Sequence, residues 1–393
     1  MDKELKRLFY FGILLRLVLM PFFAYPEDIF ETHNTSFLIL ENFKNFFHVR
    51  FSPLSHFIDS VFALLFSPFW PEGLQQVLKF QNYFYLPKIH RTLFLFKIPF
   101  LLFELAGIYL FYRFLKQQKI EQERIKKLVV FLLFNPITLY SIYIFGRFES
   151  YSLFLTFVIL ILLYRRGSLL KLVPIFALAP FIREFYFLVL FWLVLFSRLS
   201  FFKKFVLWLA SYFPYAAWLF LTGNFSQATK SYVKGGFIAY LLEPRFEYSN
   251  GRYIYFYPFV LTFLLALLYL RSKEKISFSI AGFLSLAVFY AFSYFHPQYF
   301  AWILPFWAFI LAFEKREGFE RLYKLSWVLS VLFLSIPFPG APTTFGVAFP
   351  LAGAFRFISI DKIFPDVKIY FELLRSAFRG LILSLSIYFA LKR

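Results

Sequence analysis

The stretch "FLTFVILILLY" (residues 154–164) has no polar face at the 3.6-residue period of an α-helix. Apolar runs of about 16 to 23 residues recur along the whole chain, which is the length that crosses a hydrocarbon core about 30 Å thick. Of the 393 residues, 60% are hydrophobic and only 16% are charged, and the mean hydropathy is +0.66. Soluble domains do not have this composition. The sequence therefore predicts an all-α polytopic membrane protein.

The positive charge is concentrated in short segments between the apolar runs. The formal net charge is +20, and more than half of the 42 Lys and Arg residues lie in seven such segments. These segments are 3–7, 113–127, 165–171, 198–204, 271–275, 314–324 and 392–393. The positive-inside rule places all of them, and both termini, in the cytoplasm. The charge is therefore interpreted as a topology signal and not as a nucleic-acid-binding surface.

This topology predicts about 12 transmembrane helices, with a range of about 10 to 13. The predicted spans are 8–24, 93–112, 128–144, 149–164, 171–183, 185–197, 205–222, 253–270, 277–294, 299–313, 325–338 and 375–391. The fifth and sixth spans are short, and we expect broken or half-length helices there. The first span is not expected to be a cleaved signal peptide, because Arg16 interrupts its apolar core. We predict a single integral-membrane domain over 1–393.

Large segments on the predicted outer side connect several spans. The first of them, 25–92, begins and ends outside, so its apolar stretch 51–69 cannot cross the membrane once. We interpret that stretch as a helix that lies in the membrane interface. Further long outer segments are 223–252 and 339–374. Ordered segments of this size are more often functional than short connections are.

Ionisable and polar residues stand near the predicted outer ends of the spans, where an unpaired charge is costly. Such residues usually face a bundle interior or a water-filled cavity. We therefore expect one outward-facing polar cavity. The candidate residues are Asp28, Lys97, Glu104, Arg147, Glu149, Arg183, Glu184, His296, Gln298 and Tyr299.

Several of these charged residues also have a simpler interpretation that requires no polar cavity. Glu27 and Glu31 are alternatively solvated surface residues. Ion pairs or helix caps are the alternative for three pairs of charged residues, which are Arg16 with Glu104, Arg147 with Glu149, and Arg183 with Glu184.

Several classes of site have no sequence signal. The five His residues lack HxH or HExxH spacing, and the chain contains no Cys, so we expect no metal site. No GxxxxGK motif supports nucleotide hydrolysis, and we expect no cofactor.

Taken in order, several motifs resemble those of the GT-C superfamily of integral-membrane glycosyltransferases. More specifically, the chain is similar to the polyprenyl-phosphate-mannose-dependent mannosyltransferases, which include the first mannosyltransferase of GPI-anchor assembly and its prokaryotic relatives. The matching motifs are an Arg-containing first helix followed by an acidic loop ("RLVLMPFFAYPEDIF"), "FSPL" (51–54), Lys97 with Glu104, "NPITLYSIYIFGRFES", Arg183 and "HPQYFAWILP" (296–305).

The sequence departs from the family pattern in three places. The Gln-Phe-Asp of the family is Arg-Phe-Glu here, at 147–149. The family Asp in the second span is Glu104, and the Lys of the fifth-to-sixth corner is Arg183. These changes keep or increase charge, so they bear on the sugar and the acceptor more than on the reaction class.

The resemblance implies an inverting glycosyltransferase at the outer membrane face. It would move a hexose, with mannose expected, from a polyprenyl-phosphate donor to a hydroxyl of a lipid or glycan acceptor. The lipid bilayer is a further partner, nucleic acid is not, and the plasma membrane is the expected location. The GT-C-like core would cover about 8–313, with additional C-terminal helices in 314–393.

The resemblance also implies roles for the candidate residues. Asp28 is the expected catalytic base. The other roles are donor-phosphate binding (Arg147, Arg183, Lys97), substrate binding (Glu149, Glu184, His296, Gln298, Tyr299) and polar support (Arg16, Glu104).

The alternative function is a transporter or flippase of a lipid-linked anionic substrate, whose basic cavity would serve binding alone. Transporters often contain internal repeats with paired broken helices. No second copy of the 93–183 pattern is found in the sequence, which favours the transferase.

Overall fold

In this computed structural model the chain is built mainly of α-helices. The structure describes residues 3–74, 88–226, 241–249, 252–271, 275–293, 297–334 and 367–391. Within these ranges, four helical stretches are long and apolar enough to cross a membrane: Ile89–Gln117, Gln122–Ile144, Phe201–Leu221 and Glu372–Leu391. The chain is therefore a helical membrane protein. Shorter apolar helices lie within other predicted spans, so the number of crossings stays a prediction.

The chain divides into two compact units, and the first comprises Met1–Phe154, Pro297–Ala301 and Tyr323–Arg375. Its α-helices are α1 (Lys3–Leu19), α2 (Pro26–Glu41), α3 (Pro53–Phe66), α4 (Ile89–Phe96), α5 (Ile98–Gln117), α6 (Gln122–Phe134) and the single turn α7 (Pro136–Thr138). The 3₁₀-helices η1 (Phe43–His48) and η2 (Pro71–Leu74) flank α3, and a π-helix (Leu139–Ile144) continues α7. The next helix, α8 (Glu149–Tyr164), begins in this unit and has the bounds that the sequence predicts.

Proline marks the start of several helices of the first unit. Pro26, Pro53 and Pro136 each occupy the first turn, where the missing N–H costs nothing because the first helical N–H groups have no partner. Asn135 caps the turn at Pro136, since its side-chain oxygen accepts from the Ile137 N–H at 2.9 Å. Its amide nitrogen donates to the Ser330 hydroxyl, also at 2.9 Å. The Asn-Pro dipeptide therefore interrupts the predicted third span and starts a new helical segment.

The predicted outer segment 25–92 is largely helical where the structure describes it. The helix predicted within 51–69 is confirmed as α3, which packs against α2. The sequence did not predict α2, which begins at Pro26 directly after Tyr25. Several large apolar side chains of this segment are exposed, and they include Phe43, Phe47, Leu64, Leu65 and Phe69. Exposed rings and aliphatic chains suit a helix pair that lies against lipid.

The second unit comprises Leu155–His296, Trp302–Leu322 and Ser376–Arg393. It contains the rest of α8, α9 (Leu169–Ile182), α10 (Tyr186–Leu195), α11 (Phe201–Leu221), α12 (Phe256–Arg271), α13 (Ser277–Phe292) and α14 (Leu304–Phe313). The 3₁₀-helix η3 (Pro297–Ile303), α15 (Arg316–Leu334) and α16 (Val367–Leu391) are divided between the units. The predicted short helices are confirmed, because α9 has 14 residues and α10 has 10. Helix α13 is buried along most of its length and contacts α10, α12 and α14, which makes it the core of this unit.

One short β-hairpin, which the sequence analysis did not predict, accompanies the helices. Strands β1 (Arg245–Ser249) and β2 (Arg252–Tyr255) pair antiparallel, with Arg245 opposite Tyr255. The predicted eighth span, 253–270, therefore begins in β2, and its helix α12 starts only at Phe256. The sequence contained the signal, since the Asn-Gly dipeptide at 250–251 is typical of a hairpin turn and "RYIY" is rich in strand-forming residues.

Candidate functional site

The candidate site is built around a sharp corner between the π-helix and α8. Gly146 has a φ of +85°, a left-handed conformation that side chains other than glycine rarely adopt. A Cβ at this position would lie 3.3 Å from Lys97 Cε and 3.4 Å from Ile29 Cδ1. Glycine is therefore required both for the turn and for the close packing beneath it. The turn ends the π-helix, a type of segment often found at functional sites, and starts α8.

The start of α2 is attached to this corner. The Tyr25 N–H donates to the Phe145 carbonyl at 2.7 Å. The two aromatic rings stack with their centroids 4.5 Å apart. These contacts join the first turn of α2, which carries Asp28, to the corner that carries Arg147.

Asp28 and Arg147 form an ion pair. Arg147 Nη1 lies 3.1 Å from Asp28 Oδ1, and the two side chains are 13% and 16% exposed, respectively. Thr32, one turn further along α2, donates to the Asp28 backbone carbonyl at 2.7 Å, and its hydroxyl lies 3.5 Å from Arg147 Nη1. The guanidinium also lies over the Phe148 ring, 5.1 Å from its centroid. The sequence suggested Glu149 as an ionic partner of Arg147. In the structure Arg147 forms an ion pair with Asp28.

Each member of the Asp28–Arg147 pair has one polar atom without a hydrogen-bond partner among the described residues. Asp28 Oδ2 and Arg147 Nε are buried, and no residue that the structure describes hydrogen-bonds to either atom. Buried polar atoms are normally paired with protein, water or ligand. A partly exposed carboxylate beside a guanidinium can take a hydroxyl proton and hold an anion, respectively.

A second carboxylate, Asp59 on α3, belongs to the same neighbourhood, and the sequence reasoning missed it. Asp59 is 2% exposed and accepts a short hydrogen bond from the Tyr151 hydroxyl. Burial raises the pKa of the Asp59 carboxyl well above its usual range, while the Tyr151 hydrogen bond and the positive charge of Arg147 oppose that shift. Asp59 is the only Asp, Glu, Lys or Arg in the stretch 51–69, and this was the available signal.

Lys97 makes a set of backbone contacts that the sequence did not predict. The side chain is fully buried, and its ammonium donates to three backbone carbonyls, those of Met20 (3.1 Å), Tyr143 (2.9 Å) and Phe23. An ammonium has three N–H donors, so these contacts use all of them. In this structure Lys97 therefore holds the end of α1 and the π-helix together beneath Gly146, and its role in binding phosphate stays a prediction.

The predicted ion pair between Arg16 and Glu104 is confirmed. Both side chains are fully buried, and the guanidinium makes two hydrogen bonds to the carboxylate, of 2.6 and 2.7 Å. The Tyr143 hydroxyl donates to the same carboxylate. A bidentate Arg–carboxylate contact is the strong form of an ion pair. The pair joins α1 to α5 and, through Tyr143, to the π-helix that leads to the site corner.

The other predicted residues of the first unit lie at element ends. Glu149 is the first residue of α8 and is 1% exposed. Gln298, also 1% exposed, and the half-buried Tyr299 lie in η3. His296 lies outside the described residues, so its predicted substrate contact has no structural counterpart here.

The second unit contains the predicted corner residues Arg183 and Glu184. Arg183 is the residue directly after α9 and is 5% exposed, and Glu184 is half-buried. The Arg183 guanidinium lies 5.7 Å from the centroid of the Trp302 ring, and Phe185 stacks on the same ring at 4.3 Å. Because Trp302 is the Trp of "HPQYFAWILP", the structure joins two segments that the sequence singled out separately.

Nothing in the described ranges forms a metal centre. No group of three or more His, Cys, Asp or Glu side chains in those ranges could hold a metal ion. His33 is a core residue, since burial lowers its pKa to about 4 and its Nε2 lies 3.1 Å from the Gly73 carbonyl. A neutral imidazole that donates to a backbone carbonyl is structural.

A comparison with protein-family models finds no match, and a comparison with curated proteins finds no significant relative.

Proposed function

We propose that the protein is an inverting glycosyltransferase of the GT-C type. It transfers a hexose, preferably mannose, from a polyprenyl-phosphate donor to a hydroxyl of a lipid or glycan acceptor. The observation that carries this proposal is the partly exposed Asp28–Arg147 pair. One carboxylate and one guanidinium side by side are the groups that transfer from a lipid-phosphate sugar needs.

The leaving group explains why one carboxylate is enough. The donor carries its own phosphate, which departs as an anion and needs no proton from a general acid. Asp28 takes the proton of the acceptor hydroxyl as that oxygen attacks the anomeric carbon. The bond from the anomeric carbon to the phosphate oxygen breaks, and the phosphate leaves with the bonding electron pair. A single displacement of this kind inverts the configuration at the anomeric carbon.

Arginine suits the departing phosphate because its planar fork contacts two oxygens at once. We assign Arg147 to this role, and Arg183 to a second donor contact on the evidence of the motif alone. A phosphate at Arg147 would compete with Asp28 for the guanidinium. Donor binding would then release the Asp28 carboxylate from its ion pair and make it available as the base.

The proposed membrane arrangement follows from the charge distribution. About 12 spans, with both termini in the cytoplasm, place Asp28 and Arg147 on the extracytoplasmic face of the plasma membrane. A polyprenyl-phosphate donor suits that side, where nucleotide sugars are scarce.

The experiment that tests the proposal uses the purified full chain in lipid nanodiscs. Synthetic short-chain polyprenyl phosphates carrying mannose, glucose, galactose or N-acetylglucosamine are supplied one at a time. We expect hydrolysis or transfer of one of them, with an inverted anomeric configuration by NMR. If none reacts while labelled polyprenyl phosphates cross proteoliposome membranes faster in the presence of the protein, the transporter alternative replaces the transferase.

A further inference from the structure

A polar cleft opens in the predicted outer segment, apart from the Asp28–Arg147 pair. It encloses about 400 Å³ between α2, η1 and the start of α3, and the polar side chains that line it are Glu31, Thr35, Asn45, His48, Arg50 and His56. Ligand pockets of proteins typically span about 300–1,000 Å³. The cleft is therefore large enough for a small polar molecule.

One face of α2 runs from Asp28 into the lining of the cleft. Asp28, Glu31, Thr35 and Leu38 are spaced three, four and three residues apart, which places them in one stripe of the helix. Glu31, Thr35 and Leu38 line the cleft. Neighbours in such a stripe have Cβ atoms about 5–6 Å apart. A ligand in the cleft would consequently lie within one or two helical turns of the proposed base.

The inner end of the cleft also approaches the site corner. His56 lines the cleft and is 9% exposed. Its ring packs edge-on against the Phe148 ring, with the two centroids 5.3 Å apart. Phe148 is the residue over which the Arg147 guanidinium lies. Phe148 therefore contacts both the lining of the cleft and the ion pair.

The chemistry of the lining favours an uncharged ligand with many hydroxyl groups. The formal charges of Glu31 and Arg50 cancel, so the charged side chains that line the cleft offer no net charge to a bare anion. It combines a carboxylate acceptor, guanidinium donors, imidazoles, an amide and a hydroxyl, which match hydroxyls that both donate and accept. Phe51 and Leu38 add an apolar wall for C–H groups. A side-chain hydrogen bond from Asn45 to the Leu38 carbonyl at 2.8 Å fixes the amide in place before any ligand binds.

We propose that the cleft between α2, η1 and α3 binds a hydroxyl-rich, uncharged ring such as a sugar or cyclitol, and that it holds the acceptor of the transfer reaction beside Asp28. The binding of such a ring stands on the cleft alone. The acceptor role rests on the proposed function.

The binding test uses the full chain in nanodiscs and ligand-observed NMR with three probes: methyl α-D-mannopyranoside, myo-inositol and inorganic phosphate. We expect at least one ring compound to bind and phosphate not to compete with it. Arg50→Met should weaken ring binding about tenfold or more, because it removes charged hydrogen-bond donors from the cleft. Lys44→Met is the matched control, since it removes one positive charge from an exposed position of η1 that does not line the cleft. It should bind like the wild type.

The outcomes separate the two parts of the proposal. Absence of ring binding, equal weakening in Arg50→Met and Lys44→Met, or phosphate binding tighter than ring binding would each overturn the cleft assignment. Ring binding lost in Arg50→Met without any transferase activity in the wild type would keep the cleft and remove the proposed function. If transfer occurs and Arg50→Met leaves the acceptor KM unchanged, the acceptor role is wrong.

Discussion

The Arg147 guanidinium lies 3.1 Å from the Asp28 carboxylate. The residue proposed to bind the donor phosphate is therefore paired with the proposed base when no substrate is bound. Both side chains are partly exposed, and each retains a polar atom with no hydrogen-bond partner among the described residues. The pair is thus accessible and incompletely satisfied. A donor phosphate that takes over the guanidinium would release the carboxylate from its ion pair, close to the incoming hydroxyl.

Substitution of Asp28 by Asn should separate catalysis from binding. The amide keeps the shape of the side chain and removes its basicity, so turnover should fall by about 10²–10⁴-fold, the usual contribution of a general base. Donor affinity should be retained or increase, because Arg147 loses its ionic partner. Both quantities are measured with the donor that reacts, by initial rates and by direct binding. Glu149→Gln is the comparison variant, and the roles must be exchanged if it abolishes turnover while Asp28→Asn does not.

Substitution of Arg147 should act on donor affinity. Arg147→Gln removes one charge-assisted phosphate contact, and we expect donor affinity to fall by about ten- to a hundredfold. Arg147→Lys keeps the charge but loses the planar fork, so its loss should be smaller. Arg183→Ala should weaken donor binding at least as strongly as Arg147→Gln. Wild-type donor affinity in both Arg147→Gln and Arg183→Ala would mean that these arginines are structural.

Hydropathy, charge and motif order predicted the local features of the fold well. They predicted the membrane class, the bounds of α8, the shortness of α9 and α10, and the Arg16–Glu104 pair. Each of these depends on residues within one helix or on the rule that a buried charge finds a partner.

The contacts between distant corners were not predictable in the same way. The Asp28–Arg147 pair depends on the attachment of Tyr25 to Phe145, which no periodicity encodes. The role of Lys97 depends on the fact that three carbonyl groups converge on one ammonium. Every residue has a backbone carbonyl, so the residue types in a sequence do not show where such groups converge. The sequence could therefore suggest Lys97 as a phosphate-binding cation, but it could not show that backbone carbonyls accept hydrogen bonds from its ammonium.

The orientation in the membrane is open to direct labelling, because the chain contains no Cys. Single cysteines at Gln118 and Ser200, beside basic segments, should be protected from an impermeant thiol reagent in intact cells. A cysteine at Lys44, exposed on η1, should react. All three should react after permeabilisation, which controls for burial. Labelling of Gln118→Cys in intact cells together with protection of Lys44→Cys would reverse the proposed orientation.

The Arg16–Glu104 pair should behave as a buried, coupled ion pair. Arg16→Met leaves a buried carboxylate uncompensated and should lower the free energy of unfolding by about 3–5 kcal/mol. Glu104→Gln should also destabilise, although the amide still accepts from Tyr143. The double variant should be less destabilised than the sum of the two single changes, since neither charge remains. Denaturant unfolding in detergent measures the cycle, and strict additivity would show that the two side chains do not interact.

Substitution of Lys97 should show whether its ammonium binds the donor phosphate or only supports the fold. Lys97→Met keeps the length of the side chain and removes the ammonium, which leaves the carbonyls of Met20, Phe23 and Tyr143 without that donor. A buried acceptor without its partner costs about 1–3 kcal/mol, so we expect a clear fall in the thermal unfolding temperature. Lys116→Met, at an exposed position in the last turn of α5, is the control and should unfold like the wild type. At a temperature where Lys97→Met is still folded, its donor affinity should stay within a few-fold of the wild-type value. Unchanged stability with donor affinity reduced tenfold or more would instead assign the ammonium to the donor phosphate.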